Sequence, residues 1–436
     1  MELKKVLIIC YDYLPIGSPH AYRWSAIAEK WVENGHQVDI VSVRKPGLLQ
    51  QEKMKGVNVH RVAGGLLERV RKRVTSKVHA AQDQKENQTT LKSSAKKMIV
   101  KTLKMLHDMT WKKIYWPDYA CLWFYPAYRR AKSLQVKHGY DFVVSVSHPF
   151  TSHVVANRLK TKNPELTWLV DVGDPFCILE ETPTNNVLLY QRLNYKYERL
   201  IFQNANAVGI TPEAIASYIT IFPESENKMH VIPPMLTIQK APESLDVFKE
   251  DGKIRFVFIG TLYRKIRNPD FLLQLFRRML DTPYGDRLEL HFFGNVHDCE
   301  ASFTSYEDLL HTHIFMHGVV EHHVALNAMQ QADVLVNISN RTPLQLPSKV
   351  VEYASTGNRI LNIADIDHDN SEIFFNRYPS AITIRSNLAI LDEEVVSLLE
   401  KLFGMSNLKG ETLSDWMRPY QLNTISDQFM GILSHS

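Results

Sequence analysis

Leu346-Pro-Ser-Lys-Val-Val-Glu-Tyr-Ala-Ser-Thr-Gly357, followed by Asn-Arg-Ile-Leu-Asn-Ile363, is the stretch whose reading decides the fold. Pro347 suits the first turn of a helix, where a missing N–H costs nothing, and Gly357 suits the position just past a helix end. The bracket predicts a helix of about three turns. Val350, Val351 and Ala354 recur at helical spacing, so one face lies on a sheet, and Ile360 to Ile363 supplies the next strand. Ser348 and Lys349 fall in the first turn, where free backbone N–H groups and the helix dipole attract anions and the lysine adds a mobile positive charge. Glu352 lies four residues after Ser348 on the same face, and a carboxylate there can accept two hydroxyls of a ribose. Phosphate and ribose together point to a nucleotide. Taken alone, the same residues read as an ordinary helix start with a favourable early acid, so the rest of the chain has to decide.

A chain of 436 residues is too long for one ordinary core and predicts two domains of about 200 residues each. An apolar content of 44% and a charged content of 22% are those of a globular protein rather than a disordered or fibrous one. Cys10, Cys121, Cys177 and Cys299 are widely spaced, which gives neither a zinc pattern nor a disulfide framework and fits a reducing cytoplasm. The run Val6 to Cys10 reads as a first strand, not as a secretory signal. No run approaches the roughly 18 apolar residues of a membrane span, so any membrane contact is expected to be peripheral.

Val6 to Cys10, the amphipathic run Ala21 to Asn34 stopped by Gly35, and Val38 to Val43 form a strand, helix, strand unit of the nucleotide-binding type, without the dinucleotide glycine fingerprint. Gly17 and Ser18, in the loop after the first strand, let the backbone come close to a ligand, with His20 just beyond. Val57 to Val62 is a further strand. Between Leu66 and Lys113, basic residues outnumber acidic ones roughly three to one, in clusters such as Arg69-Val-Arg-Lys-Arg73. Trp111, Tyr115, Trp116, Trp123, Phe124 and Tyr125 follow. Residues 66–125 read as a helical insertion whose charges and aromatics suit an anionic membrane surface, with nucleic acid as the competing partner and a solvated basic helix as the bland alternative. No nucleic-acid recognition motif accompanies them.

Tyr140 to Ser147 ends in His148, and Trp168 to Val172 ends in Gly173-Asp174, so both strands carry polar groups at their carboxyl ends. Ala207 to Ile210 and His230 to Ile232 close the first series, expected to span 1–237, and the polar run 238–253 reads as a linker. Strands at Arg255 to Gly260, Leu288 to Gly294, Ile314 to Gly318 and Asp333 to Ile338 then alternate with helices beginning near Pro269, Thr304 and His322, a second doubly wound domain over 254–410. A last helix over 411–436 is expected to pack back on the first domain. Gly260, Arg264, Lys265 and Arg267 fall at the same carboxyl edge as Lys349, where two basic loops can hold one diphosphate, and Gly294 and Gly318 admit a flat base.

Ile210-Thr-Pro-Glu-Ala214, Ile232-Pro-Pro, Phe258-Ile-Gly-Thr-Leu262, Ala332-Asp-Val-Leu-Val336 and Pro347-Ser-Lys-Val-Val-Glu-Tyr-Ala-Ser-Thr-Gly357, with Gly17-Ser18 and Gly35-His-Gln-Val38, resemble the glycosyltransferase family 4 group over nearly the whole chain. The resemblance implies the GT-B fold, an α/β architecture of two facing Rossmann-like doubly wound domains with a cleft between them, and sugar transfer from a nucleotide sugar. It implies that Glu352 holds the donor ribose, that Lys349 and basic residues among Arg264 to Arg267 hold the diphosphate, that no metal or other cofactor is needed, and that anomeric configuration is retained. His148 resembles a histidine that relatives place beside the reacting sugar, although an isolated histidine more often has a structural role. The sequence departs from the family at Leu344, where a second glutamate is usual, at Ser18, which replaces a glycine, and in the spacing of Arg264, Lys265 and Arg267.

These readings converge on a cytoplasmic, hexosyltransferase-like enzyme that moves a sugar from a nucleoside-diphosphate sugar to a glycan or lipid-linked acceptor in polysaccharide or glycoconjugate assembly. Gly260, Arg264, Lys265, Arg267, Gly318, Ser348, Lys349 and Glu352 are assigned to the donor, His148 to catalysis, and Gly17, Ser18, His20 and Asp174 to the acceptor side. A nucleotide-sugar epimerase on the same fold and a non-catalytic scaffold of an assembly complex are the alternatives.

Overall fold

A computed structural model describes residues 3–63, 114–179, 183–236, 245–347, 349–387 and 391–436. Ser348, residues 66–113 of the basic insertion and residues 238–244 of the expected linker lie outside them. By its internal contacts the chain forms two compact units, Met1–Ile232 with Ile425–Ser436, and Pro233–Thr424.

The first unit contains β1 (Lys5–Ile9), β2 (Gln37–Val43), β3 (Gln51–Met54), β4 (Val57–Val62), β5 (Phe142–Ser147), β6 (Thr167–Val172), β7 (Ala207–Ile210) and β8 (Met229–Val231). They form one sheet in the order β3-β4-β2-β1-β5-β6-β7-β8, parallel except for β3 against β4. β3 was not expected; it is a short polar edge strand with alternating exposure and no apolar run to announce it. Val6, Leu7, Ile8 and Ile9 are wholly buried because both sheet faces are covered, as a parallel sheet requires. On one face lie α2 (Phe124–His138) and α3 (Thr151–Lys162), whose Ala127, Ala131, Val155 and Leu159 pack on Leu7, Ile9, Trp168 and Val170. α1 (Pro19–Glu33) packs with the returning segment Ile425–Ser436: Trp24 meets Phe429 with ring centroids 5.0 Å apart, and the Trp31 indole N–H donates to Ser426 O at 3.3 Å. α4 (Val187–Asn204) and α5 (Ile215–Ile221) complete this unit.

The second unit contains β9 (Ile254–Ile259), β10 (Leu288–Phe293), β11 (Ile314–Gly318), β12 (Val334–Ile338), β13 (Arg359–Ala364) and β14 (Ala381–Arg385), in the order β11-β10-β9-β12-β13-β14 and parallel throughout. This is the doubly wound order, with its reversal between β9 and β12. α6 (Asp270–Leu280), α7 (His322–Gln331), α8 (Lys349–Ser355), α9 (Asn370–Phe375), α10 (Asp392–Gly404), α11 (Gly410–Met417) and α12 (Leu422–His435) follow in chain order. The helix expected near Thr304 is instead a 3-10 helix, His297–Leu309, broken at Tyr306 where φ is −127°. Residues 245–253 pack on this unit: the Gln331 side-chain oxygen accepts Val247 N–H at 3.0 Å, and Phe248 lies 4.8 Å from the His291 ring. None of the helices in the described residues is long and apolar enough to cross a membrane.

A buried imidazole in the first unit makes stability depend on pH. The Ser145 hydroxyl accepts the Trp168 indole N–H at 2.9 Å and lies 2.8 Å from Nδ1 of His153, so the buried ring has a neutral hydroxyl and no carboxylate as its hydrogen-bond partner. Burial holds the His153 pKa at about 3, below the ordinary 6.5. Between those values the unfolded chain binds the extra proton, so acidification from pH 6.5 removes stability. His153→Gln is expected to make the pH dependence of unfolding free energy shallower by about one proton, or about 1.4 kcal/mol per pH unit, in denaturant titrations read by tryptophan fluorescence.

Candidate functional site

The site in the second unit is built where its sheet reverses. β9 pairs with β12 only through Phe256 and Val257, so the two strands part before β9 ends, and the Ile259 backbone has no strand partner on that side. Tyr353 of α8 fills the gap: its hydroxyl accepts Ile259 N–H at 2.8 Å and donates towards Ile259 O at 3.3 Å. Leaving such buried groups unpaired would cost about 1–3 kcal/mol each. Burial pushes the Tyr353 pKa well up, which keeps the hydroxyl protonated and able to donate. One side chain thus fixes α8 to the carboxyl end of β9.

α8 is shorter than the three turns expected. It runs over Lys349–Ser355, and at its end the Ser355 hydroxyl donates to Glu352 O at 2.6 Å and the Thr356 hydroxyl to Tyr353 O at 2.7 Å, just before Gly357 as expected. Gly357 follows with φ +76°, and a Cβ there would meet Leu408 O at 2.1 Å. On this helix the Lys349 ammonium pairs with Glu352 Oε2. Glu352 is 8% exposed, so its carboxylate is buried with one cation as its counter-charge.

Arg267 is the member of the basic trio that turns inward. Residues 263–267 close on themselves, with Arg267 N–H donating to Tyr263 O at 2.7 Å, which leaves Arg264 and Lys265 on the exposed side of the turn. The Arg267 guanidinium donates to Asn340 Oδ1 at 2.7 Å and to Thr261 O at 3.2 Å. It therefore joins the loop after β9 to the loop after β12, across the point of reversal. Among the described residues its polar partners are neutral oxygens with no carboxylate, and burial lowers its pKa, against the Tyr353 and Tyr263 hydroxyls. A half-buried cation without an acid is suited to a phosphate oxygen.

Gly260, Gly294 and Gly318 line this edge. Gly294 N–H donates to Gly318 O at 2.7 Å, and Gly260 N–H donates to Phe293 O at 2.9 Å. Gly260, Arg267, Lys349 and Glu352 are thus held by one strand-end scaffold, with Gly318 tied to it through Gly294. Asn340 and Tyr353 were missed as site residues. Asn340 follows a strand end and was open to the same rule that found Gly260, whereas nothing in the sequence shows that the Tyr353 hydroxyl meets β9.

In the first unit the loops after β1, β5 and β6 carry the expected acceptor-side residues. His20 Nε2 lies 3.0 Å from Asp174 Oδ2. Burial lowers the His20 pKa, but the hydrogen bond and charge of Asp174, with Asp171 adding, leave it above the ordinary 6.5. The His20 ring lies against Gly173, where a Cβ would sit 2.5 Å from His20 Cε1 and 2.9 Å from Ser147 O. Ser18 caps α1 by accepting Ala21 N–H at 3.1 Å, and Gly17 lies beneath the Tyr22 hydroxyl. His148 is half-buried, its ring 5.4 Å from that of Tyr119. Two residues outside the expected set hold these loops. Asp118 accepts Thr151 N–H at 2.8 Å and the Thr151 hydroxyl at 2.7 Å, anchoring the start of α3 just after His148. Arg61, wholly buried, pairs with Glu52 and donates to Leu14 O at 2.6 Å, fixing the loop after β1. Among the described residues no group of three or more His, Cys, Asp and Glu is placed to hold a metal ion.

No protein-family model matches the sequence, and no curated protein matches it significantly. Solved structures do match. A glycosyltransferase from Rickettsia africae ESF-5 superposes with a TM-score of 0.60 at 12% identity, covering 100% of this chain and 99% of that one. The fold is GT-B. Anabaena HepE in complex with UDP-glucose matches with a TM-score of 0.58 at 11% identity over 99% of this chain and 100% of that one. The catalytic domain of starch synthase IV from Arabidopsis thaliana, bound to ADP and acarbose, gives 0.57 at 11% over 100% and 99%. At such identities the likeness establishes architecture.

The strand-end scaffold predicts a sharp contrast between two glycines. Gly294 has φ +131°, and a Cβ there would lie 2.0 Å from Gly260 O, whereas a Cβ at Gly404 meets nothing within 4 Å. Gly294→Ala is expected to destabilise the protein by about 2–4 kcal/mol. Gly404→Ala, at the end of α10, is expected to be neutral or stabilising by up to about 1 kcal/mol. Urea unfolding of both variants measures the difference.

Proposed function

We propose that the protein transfers a sugar, hexose or hexose-like, from a nucleoside-diphosphate sugar to a glycan or lipid-linked acceptor, with the donor held by the second unit. The observation that carries this reading is the gathering of Arg267, Lys349 and the buried carboxylate of Glu352 at the reversal of a doubly wound sheet. Two cations match a diphosphate and one buried carboxylate matches a pair of ribose hydroxyls. The fold likeness to structures holding UDP-glucose and ADP supports the same ligand class.

In the proposed reaction the bond between the anomeric carbon and the diphosphate oxygen breaks, and its electron pair leaves with the nucleoside diphosphate. Arg267 and Lys349 meet the growing negative charge. An acceptor hydroxyl forms the new bond to the anomeric carbon and passes its proton to the departing diphosphate oxygen, and configuration is retained, as the family resemblance implies. His148 stands at the carboxyl edge of the first unit as the residue assigned to the reacting sugar. The acceptor is carried at an anionic membrane surface on the cytoplasmic side, which the basic clusters around Arg69 to Arg73 suit.

A panel of nucleotide sugars, read by donor hydrolysis and then by transfer, tests the reaction. Glu352→Gln should weaken nucleoside-diphosphate binding by about 1–3 kcal/mol in calorimetry, because a charged acceptor for ribose hydroxyls becomes a neutral one. Lys349→Ala should weaken the diphosphate far more than the bare nucleoside; equal losses would remove the phosphate assignment. His148→Ala should lower turnover on the order of a hundredfold while nucleotide affinity stays unchanged. Normal turnover in that variant would return His148 to a structural role.

A further inference from the structure

The helix α4, Val187–Asn204, has an outer face unlike that of an ordinary surface helix. Leu188 is fully exposed, Leu189 is 61% exposed, and Tyr195 and Leu200 are more than one-third exposed. At about 3.6 residues per turn these side chains fall on one side of the helix, interleaved with Arg192 and Lys196. Neither cation has a carboxylate partner among the described residues, whereas Arg199, further along, is paired with Glu224. The only acid on the helix, Glu198, is buried and turned inward, where it accepts the Tyr218 hydroxyl at 2.7 Å and Cys177 N–H at 2.8 Å. The exposed face is therefore apolar and cationic with no acid of its own.

Scattered exposed leucines are normal on soluble proteins, but a row of them alternating with unpaired cations is the composition of a helix that lies in a membrane interface. We infer that the outer face of α4 docks on an anionic lipid bilayer, with Leu188 and Leu189 entering the acyl boundary and Arg192 and Lys196 meeting phosphate headgroups. Charge complementarity selects this occupant, since cations with no carboxylate partner among the described residues gain from the negative surface potential of an anionic bilayer, which a zwitterionic surface of no net charge lacks. The inference rests on the reading that the acceptor is carried at a membrane, and it is independent of the donor site.

Vesicle sedimentation tests it with the full chain, using phosphatidylcholine alone or mixed with phosphatidylglycerol. Wild type should bind only the mixed vesicles and should be released by salt. Leu188→Ser/Leu189→Ser should lower partitioning on the order of tenfold, and Arg192→Gln/Lys196→Gln by a similar factor. Thermal melting and UDP affinity should be unchanged in both variants. Wild-type protein that ignores anionic vesicles overturns the inference, as does a Leu188→Ser/Leu189→Ser variant that binds them like wild type. A variant that changes the sedimenting mass in solution while vesicle binding stays the same would assign the face to self-association instead. UDP titration separates the two readings, because wild-type protein that binds UDP but ignores anionic vesicles removes the docking face and leaves the donor site standing.

Discussion

The hydroxyl of Tyr353 occupies a place that the sheet topology itself creates. Where a doubly wound sheet reverses direction, its two central strands must part, and the last residue of β9 is left with an N–H and a C=O that no neighbouring strand can reach. A side chain able to donate and accept at once resolves both, and a neutral phenol does so without bringing a charge into the core. Everything else at this edge depends on that join. It sets α8 against β9, which sets Lys349 and Glu352 beside the loop carrying Arg267.

The first unit solves a similar problem with charged groups. Its strand-end loops are held from behind, by the buried guanidinium of Arg61 under the loop after β1 and by the carboxylate of Asp118 at the start of α3. Each group satisfies backbone atoms that a loop would otherwise leave unpaired in the interior. In both units, then, the residues that would meet a ligand stand on loops and helix starts whose geometry is fixed by side chains assigned no contact with it. That division keeps the exposed groups free to act.

How much of this is legible in the sequence follows from where the information is stored. Ala207–Ile210 is read to the residue because it is a continuous buried run, and Val57–Val62 because its valines alternate with polar residues at the strand period. Gln51–Met54 and Ala381–Arg385 leave no such mark, since edge strands are partly solvated and carry mixed side chains. Lys349, Glu352 and the basic loop after β9 are legible because the strand-end rule places ligands there. Which of Arg264, Lys265 and Arg267 turns inward is not, because a turn closed by its own backbone between Tyr263 and Arg267 decides it. Ser18, noted in the sequence for its small size, is also engaged as a helix cap, a use that its position just before Pro19 allows. The supporting residues Tyr353, Asp118 and Arg61 act through contacts far apart in the chain, which periodicity does not register.

The pairing of Lys349 with Glu352 gives each group its counter-charge within one turn of α8. An anion that drew the ammonium away would strip a buried carboxylate of its counter-charge and incur the cost of leaving it unpaired. Inorganic phosphate or pyrophosphate offers little in return, because it is itself an anion and meets that carboxylate with like-charge repulsion rather than with neutral donors. A nucleotide supplies both halves of the exchange in one molecule, phosphate for the cation and ribose hydroxyls for the anion. On the proposed donor assignment the ion pair would act as a filter against simple phosphates, making partial occupancy unfavourable rather than relying on shape.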